Sequence, residues 1–472
     1  MPAQHALVIG GGIAGMCAAR ALTDTYARVT LVERDQYPNG VGDRRGVPQS
    51  RMFHTLIERG RREVESLFPG FHARLDQARM PRMSYGFNVA LMSPRGWSPP
   101  SRSPVVRGLF VTRTLLETTI RDHLRETANV TIIEAAAATR LLAETQEGRK
   151  VCRGAEIRRR DTGEVFTIEA DLVVDASGAS SKSADWFADL GLAAPEEETL
   201  DPLLTYGGQW MKLREGARWP TGWWWTHGVF IQRVPPHDLN GAHLMRQEGD
   251  LWLLTLVAGA GQEPPMDPDG VAKFLAGLRS PLISEMLPLF EPVSKMTGYR
   301  LSKNRWRHYE RWADSLDGFI AMGDATCVFN PNQGQGMSVA ASEAGILRRC
   351  LAQTTSPREL PALFFAKQAK FKANPWRLAI SNDLRFASVE GERTAAVGVF
   401  NWWRVQLGLS PDRAVQQRLA EVDLLLRPVK DLFDLRIAAR MVYSRTVAAL
   451  RPPSERAPSF GSHPPSLPTI FT

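Results

Sequence analysis

Residues 5–33 read HALVIGGGIAGMCAARALTDTYARVTLVE, and this stretch decides the fold. The apolar run at 5–10 predicts a short buried strand of a parallel sheet. Gly10, Gly12 and Gly15 follow in the spacing G-x-G-x-x-G, then a helix of small residues, then a strand that ends on Glu33, eighteen residues after Gly15. This order of strand, glycine turn, helix, strand and acidic residue predicts a dinucleotide-binding unit.

Each glycine of this turn has a different task. The first permits the tight turn, the second lets a pyrophosphate approach the backbone, and the third lets the helix pack on the strand. The N-terminus of the helix then faces the phosphates, and an acid at the end of the second strand can accept a hydrogen bond from a ribose hydroxyl. Gly10, Gly12, Gly15 and Glu33 are therefore candidate cofactor-binding residues.

An arginine-containing loop follows this unit. Residues 39–70 begin as a glycine-rich loop and become an amphipathic helix. Two interpretations of Arg44, Arg45 and Arg51 are open: they belong to a solvated loop, or one or more of them complements cofactor phosphates beside Glu33. Arg45 is the candidate that we select from the three.

The rest of the chain predicts a parallel α/β domain that is interrupted by an insert. Residues 104–139 read as an extended entry, a helix and a strand, and DLVVDASG at 171–178 reads as another buried strand. Prolines, tryptophans and short alternating runs at 195–300 predict an antiparallel sheet. GFIAMGD at 318–324 returns to the parallel-strand pattern.

A second glycine-rich stretch, GDATCVFNPNQGQGMSVA, occupies 323–340. By itself it predicts a tight turn from a strand into a helix. Three separated segments, the N-terminal glycine turn, 104–178 and 318–350, now belong to one predicted domain. A plain NAD-binding domain needs only the first, whereas a cofactor as long as FAD, laid across the sheet, needs a contact at each end.

These motifs together resemble the single-component flavoprotein monooxygenases of the para-hydroxybenzoate hydroxylase fold, across about residues 5–350. Within that fold, RRGVPQSRMFHTLIERG and FNPNQGQGMSVAASEA most resemble bacterial natural-product epoxidases and hydroxylases, with the polyether-type olefin epoxidases and squalene epoxidase as the nearest. Beyond residue 365 the resemblance is faint.

The resemblance implies roles for further residues. GGGIAG with VERD is similar to the family's adenosine and pyrophosphate site, which adds Arg34, and VTRTLLETTI places Arg113 near the cofactor. By the same likeness Asp324 binds the ribityl or ribose region and Pro331 lies beside the isoalloxazine ring. The backbone around Gly334, Gly336 and Met337 contacts that ring. The family's Asp-Gly pair is separated here, since Ala176 and Ser177 lie between Asp175 and Gly178, so a dual FAD and NADPH contact there stays open.

The predicted fold class is α/β with an α+β insert. It comprises a Rossmann-like FAD-binding domain with a parallel sheet, an inserted antiparallel-sheet substrate domain, and C-terminal helices. The predicted boundaries are 1–75, 104–190 and 301–360 for the FAD-binding domain, 76–103 and 191–300 for the substrate domain, 361–450 for the helical region and 451–472 for a disordered tail.

The implied reaction is oxygen insertion. NADPH or NADH reduces FAD, O₂ forms the flavin C4a-hydroperoxide, and one oxygen atom goes to an electron-rich carbon, so no protein side chain need be catalytic. No second G-x-G-x-x-G follows, hence the reductant binds transiently or a separate reductase delivers electrons. Three alternatives remain: a flavin halogenase, a flavin reductase or dehydrogenase of isoprenoid-like substrates, and a non-enzymatic flavin-binding sensor.

The expected substrate is a small hydrophobic alkene or aromatic compound, with epoxidation favoured over hydroxylation. The insert concentrates Trp, Phe and Leu and has few clustered Arg or Lys that could clamp a carboxylate. Trp223, Trp225 and His227 are candidate substrate-lining residues, although such aromatic side chains more often form a core. The halogenase motif is only half matched, because Trp223–Trp225 is followed by Thr226 and His227.

Composition excludes several other classes. The net charge of +8 is spread along the 472 residues without a binding module, so nucleic acid is not an expected partner. The basic, amphipathic pattern at 361–450 predicts a cap on the core or a weak association with a membrane surface. No His/Cys cluster has metal-ligand spacing. Four cysteines form no disulfide framework, and no secretory signal precedes 5–15, so we expect a reducing cytoplasm.

Overall fold

The structure is a computed structural model that describes residues 4–94, 96–98, 100, 108–236, 238–300, 303–331, 334–450 and 461–465. Its centre is a five-stranded parallel sheet. Across this sheet the strands are Phe319–Ala321, Leu172–Asp175, His5–Ile9, Arg28–Val32 and Val130–Ile133. The three chain segments that the sequence assigned to one domain therefore meet in one sheet, and the predicted α/β fold class is confirmed.

The central strand explains why this sheet forms. All five residues of His5–Ile9 are buried, because strands pair with both edges and helices cover the faces. The helix Ile13–Leu22, which begins directly after the glycine turn, packs against the helix Gly336–Leu351. This contact joins the two glycine-rich motifs of the sequence in space. Both helices begin at the carboxyl end of the sheet, where ligands bind in open α/β folds.

The second domain is an eight-stranded, mainly antiparallel sheet, which we call the large sheet. Its strands, in chain order, are Val89–Ser93, Gly96–Trp97, Thr205–Leu213, Gly228–Ile231, Gly241–Arg246, Leu251–Ala258, Phe290–Pro292 and Thr297–Arg300. The helices Pro268–Ala276 and Leu282–Met286 pack on one face of it through an apolar core. Its other face is turned toward the parallel-sheet domain.

Smaller sheets complete the two domains. Their strands are Ala136–Gln146, Arg149–Arg159 and Val165–Glu169 in a meander, Glu197–Leu200, Asn304–Arg307 and Cys327–Val328 in a second sheet, and the pair Leu56–Ile57 and Gly108–Leu109. The remaining helices before residue 335 are Glu58–Leu67, Phe71–Gln77, Arg113–Arg125 and Ser183–Asp189.

The C-terminal helices are Glu359–Asp383, Ala395–Gly408, Arg413–Asp423 and Leu435–Leu450. Their shared apolar core includes Leu378, Leu407 and Val422. Gln335, at the start of the helix Gly336–Leu351, ties them to the parallel-sheet domain, because its Nε2 donates to the Asp423 carbonyl oxygen at 2.9 Å. The helices therefore reach the second glycine-rich motif.

The structure describes five residues of the predicted tail. Residues 461–465 lie against the large-sheet domain, where the indole of Trp224 donates to the Pro465 carbonyl oxygen at 3.0 Å and the His463 ring is 2.8 Å from Glu285 Oε2. These side-chain partners offset the weak local propensity of a proline-rich segment. Residues 451–460 and 466–472 are outside the described residues.

In the described part of the chain, none of the helices is both long enough and apolar enough to span a bilayer. Its four cysteines, Cys17, Cys152, Cys327 and Cys350, are all buried and unpaired.

Candidate functional site

A cavity of about 1220 Å³ lies between the carboxyl end of the parallel sheet, the large sheet and the C-terminal helices. Ten of the residues that the sequence selected lie on its wall. They are Gly10, Gly12, Glu33, Arg34, Arg113, Asp324, Pro331, Gly334, Gly336 and Met337. Residues from three distant parts of the chain thus share one wall.

The first glycine turn has the geometry that its sequence predicts. Gly10 has a φ of +102°, and a Cβ there would lie 2.5 Å from the Ala176 carbonyl oxygen. A Cβ on Gly15 would lie 1.8 Å from the Gly10 carbonyl oxygen, so this glycine permits the helix to pack on the strand. A Cβ on Gly12 would meet no atom nearer than 3.8 Å. Gly12 therefore leaves space for a ligand at the helix N-terminus.

Glu33 lies at the centre of a charged network beside this turn. Its Oε2 accepts from the Gly11 amide at 2.6 Å, and its Oε1 is 3.2 Å from Arg44 Nη1. The same guanidinium pairs with Asp35 at 3.0 Å and, through Nε, with Glu117 at 2.7 Å. Several hydrogen bonds thus hold the carboxylate at the cavity wall, where a ribose hydroxyl would reach it.

The arginines of the following loop divide between wall and surface. Arg44 lies on the cavity wall, whereas Arg45, the residue selected from the sequence, is exposed and is not part of that wall. Arg51 is 54% exposed and pairs with Asp43, as a solvated loop residue does. Arg34 lies on the wall with its Nη1 donating to Ser180 Oγ at 3.1 Å. The alternation of side-chain direction along this loop, and not its composition, selects Arg44 over Arg45.

Asp324 and Asp175 have different surroundings. Within the described residues, no donor hydrogen-bonds to the Asp324 carboxylate, whose side chain is exposed to the cavity. Desolvation by the surrounding cavity wall raises the pKa of this carboxyl, and the charges of Arg113 and Arg305 oppose that shift. The Asp175 carboxylate instead accepts from the amide and hydroxyl of Ser177 and from Ser181 Oγ at 2.5 Å. Asp324 is thus available to a ligand, and Asp175 is occupied within the protein.

The second glycine motif forms a tight turn at the middle of the cavity. Gly334 has a φ of +63°, and its amide donates to the Pro331 carbonyl oxygen at 2.8 Å. The helix then begins at Gly336, where a Cβ would meet nothing within 4 Å. A flat ligand can therefore approach this backbone, whose free amides carry the positive end of the helix dipole. Asn332 and Gln333 lie outside the described residues.

His54 lies on the cavity wall beside this turn, because the adjacent Thr55 packs against Gly334. Its Nδ1 is 2.8 Å from the Met52 carbonyl oxygen, an arrangement that makes Nδ1 the protonated nitrogen of a neutral ring. Burial, followed by the charge of Arg113, lowers the pKa of His54 to about 4. The imidazole is thus uncharged at neutral pH.

The large sheet and the segments beside it supply an aromatic wall that the sequence did not identify. Leu91 and Phe230 come from strands of the large sheet, and Phe53, Tyr85 and Phe110 come from neighbouring segments. His243 lies among them with its ring stacked 4.6 Å from Phe230, and both of its ring nitrogens are buried without a partner within the described residues. The hydroxyl of Thr255, its neighbour across the strands, is also buried and unpartnered there. Burial lowers the pKa of His243 to about 3.

The aromatic candidates of the insert are not on this wall. Trp223 and Trp225 pack with each other at 5.3 Å, and Trp225 belongs to the core beneath the large sheet. His227 is half-buried, and its ring contacts the hydroxyl of Thr226. The three residues therefore do not line the cavity, and the core interpretation applies. Period-2 alternation identifies two faces of a strand but does not say which face meets a ligand.

The C-terminal helices form the far end of the cavity. Their wall residues include Asn382, Arg385, Asn401, Arg404 and Asp423. The sequence predicted a cap from the basic, amphipathic pattern of 361–450 but gave no sign that its polar side chains face a cavity. These residues lie after residue 365, where the sequence contains no recognisable cofactor motif, so the sequence did not identify them as site residues.

Comparisons with known proteins agree with this architecture. Residues 6–184 match the family described as FAD dependent oxidoreductase. The Mycobacterium tuberculosis protein Rv3254 is 29% identical over 416 residues, which are 85% of this chain and 84% of that protein.

Two solved structures are similar to nearly the whole chain. The flavin-dependent brominase Bmp2 has a TM-score of 0.63 at 14% identity, with 94% of this chain and 98% of the brominase covered. The tetrameric form of 2-methyl-3-hydroxypyridine-5-carboxylic acid oxygenase has a TM-score of 0.58 at 17% identity, with 90% of this chain and 98% of the oxygenase covered. These likenesses show a Rossmann-like flavoprotein fold, and the family match supports FAD as the cofactor.

Proposed function

We propose that this protein is an FAD-dependent monooxygenase that inserts one oxygen atom from O₂ into a hydrophobic alkene or aromatic compound. One observation carries the proposal. A single cavity contains both the glycine-rich cofactor motifs and a wall of apolar aromatic side chains. A cofactor and an apolar substrate would therefore meet without an intervening layer of protein.

The residues on the wall fit FAD along its length. Gly12 and the N-terminus of the helix Ile13–Leu22 would receive the pyrophosphate, and Glu33 would receive a ribose hydroxyl. The unpartnered carboxylate of Asp324 would accept hydrogen bonds from the sugar-like chain. The open space at Gly336 would admit the ring system. Two glycine-containing backbone turns and a carboxylate on one cavity wall suit a long dinucleotide.

When bound and reduced, FAD supplies the activation of O₂. The chain itself contributes orientation, a water-poor surrounding and electrostatics. The amides at the start of the helix Gly336–Leu351 would stabilise negative charge on a reduced ring bound there. The uncharged His54 would add no positive charge to this part of the cavity, and the aromatic wall would exclude water from it.

The aromatic wall favours alkene epoxidation over phenol hydroxylation. A phenol reacts faster when a base removes its proton, and an effective base has a pKa near the working pH. The pKa of His243, the histidine of this wall, is lowered to about 3, so its ring is a poor proton acceptor. An alkene needs no such base. NADPH or NADH is the proposed reductant, directly or through a separate reductase.

The experiment that tests this function is product analysis under labelled O₂. The protein is incubated with FAD, NADPH and a panel of hydrophobic alkenes and phenols, with and without bromide, and products are weighed by mass spectrometry. We expect the gain of one labelled oxygen atom, independent of bromide. Bromination would assign the halogenase alternative, and a gain of two hydrogens without oxygen would assign the reductase alternative.

A further inference from the structure

The far end of the cavity holds more positive than negative side chains. Arg385 follows the helix Glu359–Asp383, and within the described residues its guanidinium makes neither a hydrogen bond nor an ion pair. Arg404, on the helix Ala395–Gly408, pairs with Asp423 at 2.9 Å, yet its Nε is buried without a partner in the described part of the chain. Of these two guanidiniums, only that of Arg404 therefore pairs with a carboxylate there.

A third guanidinium adds to this excess. Arg233 extends from the large sheet, lies 4.1 Å over the Phe386 ring, and has a buried Nη1 without a partner in the described structure. Its charge is partly offset by Asp383, whose carboxylate accepts from the side-chain amides of Asn304 at 2.8 Å and Asn330 at 2.6 Å. Arg385 is half-buried and has no ion-pair partner within the described residues, which is unfavourable because its lost hydration is not replaced. Burial and the charge of Arg404 accordingly lower the pKa of Arg385.

This cationic end adjoins the second glycine motif. Asp423 accepts the side chain of Gln335 through its carbonyl oxygen at 2.9 Å, and Gln335 directly precedes Gly336. Within the described residues, no hydrogen bond or ion pair joins Arg385 or Arg404 to the turn at Gly10–Gly15 that would receive the pyrophosphate. These two guanidiniums are therefore available to an anion other than the FAD phosphates.

We propose that Arg385 and Arg404 form a subsite for a carboxylate of the substrate, whose apolar body lies along the aromatic wall. The inference rests on the proposed function, since it refines which substrates that cavity accepts. It changes the sequence-based expectation of an uncharged substrate. Arg385 and Arg404 come from the C-terminal helical region and not from the insert, whose small number of clustered Arg and Lys argued against an acid. Planar guanidiniums bind carboxylates through paired hydrogen bonds, which fixes the orientation of the bound molecule.

The test compares an acid with its ester on the FAD-loaded full chain by calorimetry. The probes are 2-naphthoate and its methyl ester, with NADP⁺ as the phosphate-bearing alternative, and the variants are Arg385→Gln and the control Arg436→Gln. Arg436 is exposed on the helix Leu435–Leu450 and lies off the cavity wall, so its variant makes the same charge change elsewhere.

We expect the acid to bind at least roughly tenfold more tightly than the ester, as a charge-assisted hydrogen-bonded pair provides. Arg385→Gln removes this preference and leaves ester affinity unchanged, while Arg436→Gln retains it. Equal affinities, no binding of either probe, or a preference that survives in Arg385→Gln would overturn the proposal. If Arg385→Gln loses NADP⁺ binding but keeps its preference for the acid, the subsite belongs to the reductant. That result would also overturn the proposal. Calorimetry measures binding without turnover. A protein that binds the acid but transfers no oxygen would therefore contradict the proposed function and leave the carboxylate subsite standing.

Discussion

A Cβ on Gly334 would lie 2.1 Å from the Cγ2 atom of Thr55, which is far inside van der Waals contact. The loop that precedes the helix Glu58–Leu67 is thus packed directly on the turn of the second glycine motif. Gly334 also has a φ of +63°, where other residues are strained. The turn that would hold the cofactor ring is therefore fixed before any cofactor binds.

Two glycine substitutions in this turn should have opposite effects on the free protein. Gly334→Ala should lower its free energy of unfolding by at least about 1–2 kcal/mol, from the left-handed backbone alone. Gly336→Ala should leave it unchanged or raise it slightly, because alanine favours the helix and its methyl group meets nothing within 4 Å. Gly336→Ala should nevertheless weaken FAD binding, since that methyl group enters the cavity. Chemical denaturation of the cofactor-free protein measures the effects on stability, and a flavin titration measures the effect on FAD affinity. An unchanged FAD affinity in Gly336→Ala would show that the flavin ring does not bind next to Gly336.

Asp324→Ala should weaken FAD binding more than Asp175→Ala does. The first substitution removes a carboxylate that faces the cavity, and the second removes one that Ser177 and Ser181 already occupy. A lost hydrogen bond from a sugar hydroxyl to a charged acceptor corresponds to roughly 1.5–3 kcal/mol, or about ten- to a hundredfold in Kd. Fluorescence quenching of FAD measures both constants. Equal losses would show that the second motif is misassigned.

His243→Phe should stabilise the protein, and more so at pH 5 than at pH 7. Burial lowers the pKa of His243 from 6.5 to about 3, so the unfolded chain binds its proton between these values and the folded protein does not. Stability is therefore lost as pH falls below 6.5, by about 2 kcal/mol at pH 5 for one such histidine, and the variant escapes this loss. It also removes two buried ring nitrogens that have no partner among the residues that the structure describes.

The matched control for this prediction is Thr255→Val, which deletes the neighbouring unpartnered hydroxyl but no titrating group. Its effect should not depend on pH. Melting temperatures of both variants and the parent at the two pH values provide the comparison, and a pH-independent difference for His243→Phe would contradict the account of its burial.

The parts of the site that the sequence predicted are those with local causes. Gly10, Gly12 and Gly15 are required by a turn whose strand and helix lie within a few residues, so spacing alone revealed them. The difference between Arg44 and Arg45 depends on which of two adjacent side chains a folded loop turns inward. That choice is made by Glu33, Asp35 and Glu117, which are contributed by other elements.

The walls formed by long-range packing were beyond prediction. His243 and Phe230 reach the cavity because of the direction in which the large sheet faces, and Arg385 and Arg404 because of how the C-terminal helices fold back. Neither arrangement leaves a local pattern in the sequence. The tryptophans at 223–225 are the opposite case, because they form a conspicuous sequence pattern but pack in the core and not on the cavity wall.

The central claim is that this cavity binds FAD, and the flavin content of the purified protein tests it most directly. The protein should be yellow, or become so on reconstitution, and denaturation should release one flavin per chain with the mass of FAD. A folded protein that stays colourless after incubation with excess FAD would contradict the account.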